Sequence, residues 1–529
     1  MNSNKINGSY YTPNYLAEFI IKEVIDINAE KDKELKVLEP SSGDGIFINS
    51  LLKNAGNSNY IFDIVEREPD ELNKVRNQFK GGDSHHFAYY HPIDFLKFQA
   101  ERSFDLIIGN PPYIGRKHLS KEQIESSQKI FSDNLLDPNN FKNIWMAFLL
   151  KSYNLLNVDG TICFILPAEF LQVNYTNEIR NFLIQNFEEI RIYLFNELIF
   201  HDIEQDVIIL HLAKKGKAQG IKYLEVSTLN DRVISVKNMG KISHVNNDKW
   251  SNYLLDHQEY DFIKSINENF YKVNELCNAT AGIVTAANDF FILNSSSVRN
   301  MQLDNYVHPI IKKSSNLSSG LVVNEDNLKM LNDEDIPNQL LVLNEDIQNY
   351  PEFVTKYLDQ GITQNIHERY KCRKRNRWYE VPMLSAAEAI FFKRSGKFPK
   401  LVVNDAKILN TDTGYRILMK DGYDVKSFVY SFYNSFTLLM SEICGRFYGG
   451  GVLELTPNEF KRLPIPYIQI SSYQFDKLDE LFKNQTPIEE ILEYTDKKIL
   501  IETFKLDEKE VERIRKIKTK LMKRRLKLN

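Results

Sequence analysis

Cysteine is scarce in this sequence: 529 residues hold four, Cys163, Cys277, Cys372 and Cys444, far apart and without a CxxC pair. Structural zinc sites need clustered ligands, so no metal is expected. Scattered single cysteines also exclude a disulfide scaffold. Long hydrophobic runs are lacking too: the longest, such as Thr161–Pro167, have the length of a buried strand rather than a membrane span. Met1–Tyr11 is polar and has no apolar core of a secretory signal. These absences predict a cytoplasmic protein. Charge of one sign is missing as well, with 67 Lys and Arg against 71 Asp and Glu, a net of −4. Such a balance excludes a sequence-indifferent coat for nucleic acid, yet leaves room for a local basic surface.

What is present begins with alternation. Leu35–Leu38, Tyr60–Val65, Phe104–Ile108, Thr161–Leu166 and Arg191–Phe195 read as strands, with helical stretches such as Ile46–Lys53 and Trp145–Leu156 between them. That rhythm predicts a parallel α/β sheet covered on both faces. Val207–Leu212 and Ile221–Val226 extend it as candidate antiparallel edge strands. Beyond about Lys241 the rhythm gives way to short strands and polar loops, and from about Ser471 to charged helix. The last stretch, Arg513–Lys527, carries nine basic and no acidic residues. Ile514, Ile517 and Leu521 space it as a helix, with solvated, DNA-gripping and body-packed versions all open. The expected domains are 1–245, 246–470 and 471–529.

Two motifs in the first domain carry chemistry. Val37-Leu38-Glu39-Pro40-Ser41-Ser42-Gly43-Asp44-Gly45 follows a strand and opens a helix, and Glu66, followed by Arg67, ends the next strand 21 residues after Gly45. Glycines let backbone approach a ligand, and a carboxylate at that spacing accepts from ribose hydroxyls, so a nucleoside cofactor is predicted. A plain strand–turn–helix is the competing reading. Asp94-Phe95, in a turn before the next strand, offers an acceptor for an adenine amine and an edge for its ring, although turn aspartates are commonly caps.

Phe104–Gly109 then leads into Asn110-Pro111-Pro112-Tyr113. Two prolines fix φ and remove donors, leaving the Asn110 side-chain oxygen and the Pro111 carbonyl as aimed acceptors. An exocyclic amine conjugated to a ring is a poor nucleophile. Two acceptors on its hydrogens favour a pyramidal nitrogen that can attack a sulfonium methyl in line, and such groups are worth on the order of 2–4 kcal/mol each at a transition state. Tyr113 offers a face on which a base stacks, worth roughly 1–3 kcal/mol.

In this order, Glu39–Gly45, Glu66, Asp94-Phe95 and Asn110–Tyr113 resemble the adenine-N6 DNA methyltransferases of bacterial type II restriction–modification systems. Gly8-Ser9-Tyr10-Tyr11-Thr12-Pro13 is similar to the family motif that contacts the methionine part of the cofactor. A first position for that motif, with a large extra region last, is the gamma arrangement of the Taq-type enzymes. The resemblance implies a Rossmann-like methyltransferase domain, S-adenosyl-L-methionine as cofactor, a mixed α/β DNA-recognition domain and a short helical basic tail. It places Tyr11, Thr12, Pro13, Glu39, Pro40, Ser41, Gly43, Gly45, Glu66, Arg67, Asp94, Phe95 and Asn110 at the cofactor. Phe200, in Ile199–Asp206, would be a second aromatic against a base flipped from double-stranded DNA. Ala281–Phe291 is similar to a segment of the Taq-type recognition domain, which often has Thr-Gly where Thr285-Ala286 stands. Gly449–Pro457 with Leu463–Pro466 is similar to that domain's end. Arg373, Lys374, Arg375, Arg377 and Trp378 form a basic cluster with interleaved aromatics, as DNA contacts require; a solvated charge run is the alternative.

Asn-Pro-Pro-Tyr chemistry also serves protein-glutamine and RNA-base methyltransferases, and a degenerate recognition subunit could retain the fold. Motif order and the carboxy-terminal half favour DNA. No PD-(D/E)xK or HNH pattern is evident, so methylation without cleavage is expected, by a monomer in the bacterial cytoplasm at the nucleoid, with any cognate restriction endonuclease a separate protein.

Overall fold

The computed structural model describes residues 11–25, 34–54, 59–78, 86–195, 199–200, 206–216, 220–228, 232–242, 250, 255–317, 320–448 and 450–528. Gly8, Ser9, Tyr10, His201–Gln205 and Gly449 lie outside them. The chain forms two compact units, 1–257 with 448–450, and 258–447 with 451–529.

The first unit is built on a nine-stranded sheet: β1 (Glu34–Glu39), β2 (Asn59–Val65), β3 (His86–His91), β4 (Phe104–Gly109), β5 (Leu156–Pro167), β6 (Glu189–Phe195), β7 (Val207–Ala213), β8 (Gly220–Thr228) and β9 (Val233–Ile242). Their order is β3-β2-β1-β4-β5-β7-β6-β8-β9. Strands β1 to β5 run parallel, whereas β7 pairs antiparallel with both β5 and β6. Thus β7 is an interior strand, not an edge: the chain leaves β6 and inserts beside β5. Strand β8 pairs parallel with β6, and β9 antiparallel with β8. β3 was not apparent in the sequence. It is an edge strand with exposed Phe87 and Tyr89, so its pattern lacks a continuous buried run.

Helices α1 (Asn14–Phe19), α2 (Ile46–Lys53), α3 (Pro69–Gln78), α4 (Lys121–Asp133), α5 (Ile144–Leu155) and α6 (Asn177–Asn186) accompany the sheet. Two hydrophobic clusters share its strands residue by residue. Leu106 and Ile108 of β4, with Cys163 and Ile165 of β5, join residues of α1, α2 and α3. Ile107, with Ile162, Phe164 and Leu166, joins α5 and α6. A sheet covered on both faces explains why these strands read as unbroken apolar runs.

The second unit holds a mixed sheet of β10 (Cys277–Ala281), β11 (Val322–Val323), β12 (Ala389–Phe392), β13 (Lys400–Asn404) and β14 (Gly414–Met419), in the order β10-β14-β12-β13-β11. A four-stranded sheet of Ile292–Leu293, Val307–Ile311, Gln339–Leu341 and Leu409–Asn410 lies in the same unit. Its helices include α7 (Glu352–Thr363), α8 (Ser435–Cys444), α9 (Ser472–Lys483), α10 (Ile488–Asp496) and α11 (Glu508–Arg525). The residues beyond 470 group with the rest of the second unit, and the basic terminus is a helix with one buried and one exposed face.

In α11, Val511, Ile514, Ile517, Lys518, Leu521 and Arg525 form the buried stripe. Arg525 is held bidentate by Glu442 of α8, Nε–Oε2 2.8 Å and Nη2–Oε1 2.7 Å, with both side chains nearly inaccessible. Its remaining donors reach the carbonyls of Gly396, Lys397 and Gly451. A buried pair of this kind becomes costly when one partner is removed. Arg525→Met should destabilise the second unit by about 3–5 kcal/mol, because Glu442 is left uncompensated. Calorimetry should show part of that loss recovered in Arg525→Met/Glu442→Leu.

Candidate active site

Sheet order reverses between β1 and β4, since β1 is flanked by β2 on one side and β4 on the other. At such a switch point the loops leaving the strands' carboxyl ends diverge and open a crevice. Here those loops are Pro40–Gly45 and Asn110–Tyr113. They are drawn together by close approach: a Cβ on Gly109 would sit 3.4 Å from the Pro40 ring, and Ser41 Oγ donates to the Asn110 carbonyl at 3.4 Å.

The crevice is lined by twelve of the residues predicted from the sequence: Tyr11, Thr12, Glu39, Pro40, Ser41, Gly43, Glu66, Arg67, Asp94, Phe95, Asn110 and Pro112. Pro13, Gly45, Pro111 and Tyr113 adjoin it without lining it. Pro13 caps α1, and Gly45 caps α2 with φ of +78°, a left-handed backbone that suits glycine. Pro111 is buried. Ile114, Gln123, Ile144 and Phe148 line the crevice and were missed, because they come from α4, α5 and the loop before them. Only three-dimensional packing brings them to the β1–β4 switch.

Glu66 is pre-positioned as an acceptor. Its Oε2 takes the Gly43 N–H at 2.9 Å and its Oε1 the Glu68 N–H at 2.9 Å, which fixes the carboxylate at the crevice wall. Asp94 accepts from its own turn, Leu96 N at 2.9 Å, and from Gln123 Nε2 at 2.8 Å. Gln123 also accepts from Ser120 N in the capping box of α4, so helix and turn are locked together. Phe95 is buried against Phe148, ring centroids 4.8 Å apart.

Six carboxylates line the crevice, Glu39, Asp44, Glu66, Glu68, Glu71 and Asp94, against one guanidinium, Arg67, which pairs with Glu68 at 3.0 Å. Glu39 is fully buried, and its Oε2 has no hydrogen-bond partner among the described residues. Burial pushes its carboxyl well above the usual range, with Asp44 and Glu66 adding to the rise. Burial raises Asp44 too. Phosphates would be repelled here. A nucleoside bearing positive charge fits, because a cation beside Glu39 would supply the missing partner.

At the other end, Asn110 Nδ2 donates to Thr12 Oγ1 at 3.3 Å, and its Oδ1 accepts from the Tyr113 hydroxyl at 2.9 Å. The same hydroxyl reaches the Ile165 carbonyl of β5 at 3.1 Å. The aimed acceptor of the sequence reading is therefore engaged within its own loop. Tyr113 packs against both sheet clusters and is half-buried. Phe200, 6% exposed, belongs to one of these clusters and is not among the residues that line the crevice.

The basic aromatic run in the second unit divides in two. Arg373 and Lys374 are exposed. Arg375 is turned inward, its Nη2 donating to the carbonyls of Val284 at 3.0 Å and Thr285 at 2.8 Å, and its Nη1 to that of Trp378 at 3.4 Å. Arg377 pairs with Asp346 at 2.7 Å and Glu380 at 3.3 Å. Trp378 packs on Phe290 and Phe291. So Arg375, Arg377 and Trp378 hold the run to its own unit. Ala286, in the segment that Arg375 clasps, has φ of +66°, a left-handed backbone that residues other than glycine rarely adopt. Arg375→Ala should lower the stability of the unit by about 2–3 kcal/mol, since carbonyls in part-buried positions lose their donors. Arg373→Ala should leave the same unfolding midpoint unchanged.

Two family models match the chain. Residues 45–200 match the Eco57I restriction-modification methylase, and residues 247–500 the C-terminal domain of the type II methyltransferase M.Eco57I. The type II methyltransferase M.AccI of Acinetobacter calcoaceticus is 24% identical over 489 residues, covering 86% of this chain and 84% of that protein. M.HindII of Haemophilus influenzae is 25% identical over 333 residues, 58% of this chain and 59% of its own. Among solved structures, the type IIL restriction-modification enzyme MmeI in complex with DNA has a TM-score of 0.63 at 12% identity, covering 99% of this chain and 80% of that one, a likeness of fold. The crevice between β1 and β4, its cation-seeking carboxylates and these matches converge: the chain belongs to the Eco57I-type family of type II restriction–modification methyltransferases, with S-adenosyl-L-methionine as its cofactor.

Proposed function

We propose that the protein is a site-specific adenine-N6 DNA methyltransferase of the gamma arrangement, which modifies double-stranded DNA and does not cut it. One observation carries the reading: Asn110 and Pro112 open onto the same crevice as Glu66 and Asp94. A loop of paired acceptors thus faces the reacting end of a nucleoside-shaped site. Relatives named as type II methyltransferases support DNA as the polymer.

When bound, the cofactor supplies an electrophilic methyl on a sulfonium. The chain's own residues do the rest. Glu66 and Asp94 hold the nucleoside end, and Glu39 faces positive charge. The target amine replaces the Tyr113 hydroxyl on Asn110 Oδ1, while that hydroxyl keeps the Ile165 carbonyl as its acceptor. With the Pro111 carbonyl taking the second hydrogen, the nitrogen pyramidalises. So held, the nitrogen would present its lone pair to that methyl, with the sulfur as leaving group, and one N–H proton would then pass to water. A duplex hides that amine, so the adenine must be flipped out. Tyr113 provides the stacking face, and Phe200, in a core cluster on which Tyr113 packs, is the second aromatic for that base. Phosphate contacts fall to Arg373 and Lys374. The enzyme acts as a monomer in the bacterial cytoplasm, and a cognate endonuclease is a separate protein.

Asn110→Ala should lower kcat by about a hundredfold or more. Its Kd for S-adenosylmethionine should stay near that of the parent. Sequencing of DNA from expressing cells should find N6-methyladenine in one sequence context with the parent and none with the variant; undiminished methylation would sink the mechanism. Arg373→Ala/Lys374→Ala should reduce the slope of log K against log salt by about two, one for each phosphate no longer neutralised. An unchanged slope would return those side chains to the solvated surface.

A further inference from the structure

Lys151 belongs to none of the motifs, yet it clasps the turn that carries two residues of the crevice wall, Asp94 and Phe95. On α5, Ile144, Phe148 and Lys151 follow one face at i, i+4 and i+7. The first two line the crevice. One turn further on, Lys151 Nζ lies beneath the Asp94–Phe98 turn. It donates to the Leu96 carbonyl at 2.9 Å and the Phe98 carbonyl at 2.6 Å. It also lies 5.1 Å from the centroid of the Phe95 ring. The turn is otherwise held by backbone bonds, Lys97 N to Asp94 O and Phe98 N to Phe95 O, and by Gln123 on the Asp94 carboxylate.

We propose that Lys151 is a positioning residue for the cofactor's adenine: by drawing down two carbonyls of the turn, its ammonium sets where Asp94 and Phe95 stand in the crevice. A lysine half-buried among carbonyls and an aromatic face, with no carboxylate in contact, is an expensive choice for packing alone. The turn it clasps carries both adenine-facing residues. Tethering the turn from below leaves the crevice side of Asp94 and Phe95 clear. The charged groups around it are Asp94 on the turn, whose charge favours the ammonium, and the exposed Lys97–Glu122 pair, which satisfies itself at 2.6 Å. Elsewhere on α5 there is no charged residue.

Burial brings the Lys151 ammonium down to about 8 from its ordinary 10.5. The charged form, which clasps the turn most strongly, is present below that pH and is lost as pH rises through it. Nucleoside affinity should therefore fall between pH 7 and 9.

The inference rests on Asp94 and Phe95 being the adenine site, and the experiment separates the two. The probe is 5′-methylthioadenosine, which keeps adenine and ribose but has no titrating amino-acid portion. Its Kd is measured by calorimetry on the full-length protein from pH 6.5 to 9.5. The parent should weaken severalfold across that range. Lys151→Met should be weaker by about tenfold at pH 7, the loss of one charge-assisted hydrogen bond, and flat with pH. Lys151→Arg should recover part of the affinity and also be flat. Near-ultraviolet circular dichroism of each unliganded variant checks that the fold is kept. If Asp94→Asn weakens the probe while Lys151→Met binds like the parent, the positioning role is wrong. If Asp94→Asn also binds like the parent, the adenine site itself is misplaced.

Discussion

Parallel pairing of β1 with β4, Val37 opposite Leu106 and Leu38 opposite Ile107, is the constraint from which the site follows. It sets the glycine-bearing loop after β1 beside the proline loop after β4. Lys36 N reinforces the pair by donating to Asp105 Oδ2 at 2.9 Å. Because both strands are buried on two faces, a slip by one residue would exchange their contributions to the two clusters. Register, and with it the position of Asn110 relative to Glu39, is therefore fixed by packing on both sides of the sheet.

Electrostatics then decide what the crevice accepts. Rossmann-like switch points commonly receive phosphates at a helix amino terminus. Here Asp44, Glu66, Glu68 and Glu71 line the crevice, and Glu39 lies buried without a partner among the described residues for one oxygen. The same topology is thereby turned from anions towards a cation. The catalytic loop is neutral by contrast, with Asn110 held between Thr12 and Tyr113. In the proposed reading, charge binds the cofactor and uncharged acceptors face the reacting centre, where a fixed carboxylate is not needed to polarise an amine.

The second unit uses its basic residues differently from what their order along the chain suggests. Arg375 serves three backbone carbonyls and Arg525 a buried glutamate, and both are spent on cohesion. Guanidinium groups suit this because their planar donors reach several carbonyls at once. A basic run thus mixes anchors with exposed charge, and composition cannot separate them. The partners of Arg375 at Val284 and Thr285 lie 91 and 90 residues earlier in the chain.

Local chemistry wrote much of this protein into its sequence. Glu39–Gly43, Glu66, Asp94-Phe95 and Asn110 each owe their conformation to a strand end, a turn or a proline within a few residues, so the resemblance carried by their order anticipated that they share one crevice. Strands β1, β2, β4, β5 and β6 were legible for the same reason, their apolar runs being dictated by burial on both faces. Tertiary structure alone decided the rest. It inserted β7 between β5 and β6, added the half-exposed edge strand β3, and folded α11 onto α8. It drew Gln123 and Phe148 to the crevice and Lys151 to the turn at Asp94–Phe98. It also turned Arg375 inward. In each case the deciding partner lies tens of residues away, and an interaction made across that distance depends on the packing of whole elements, which no local pattern of residues encodes.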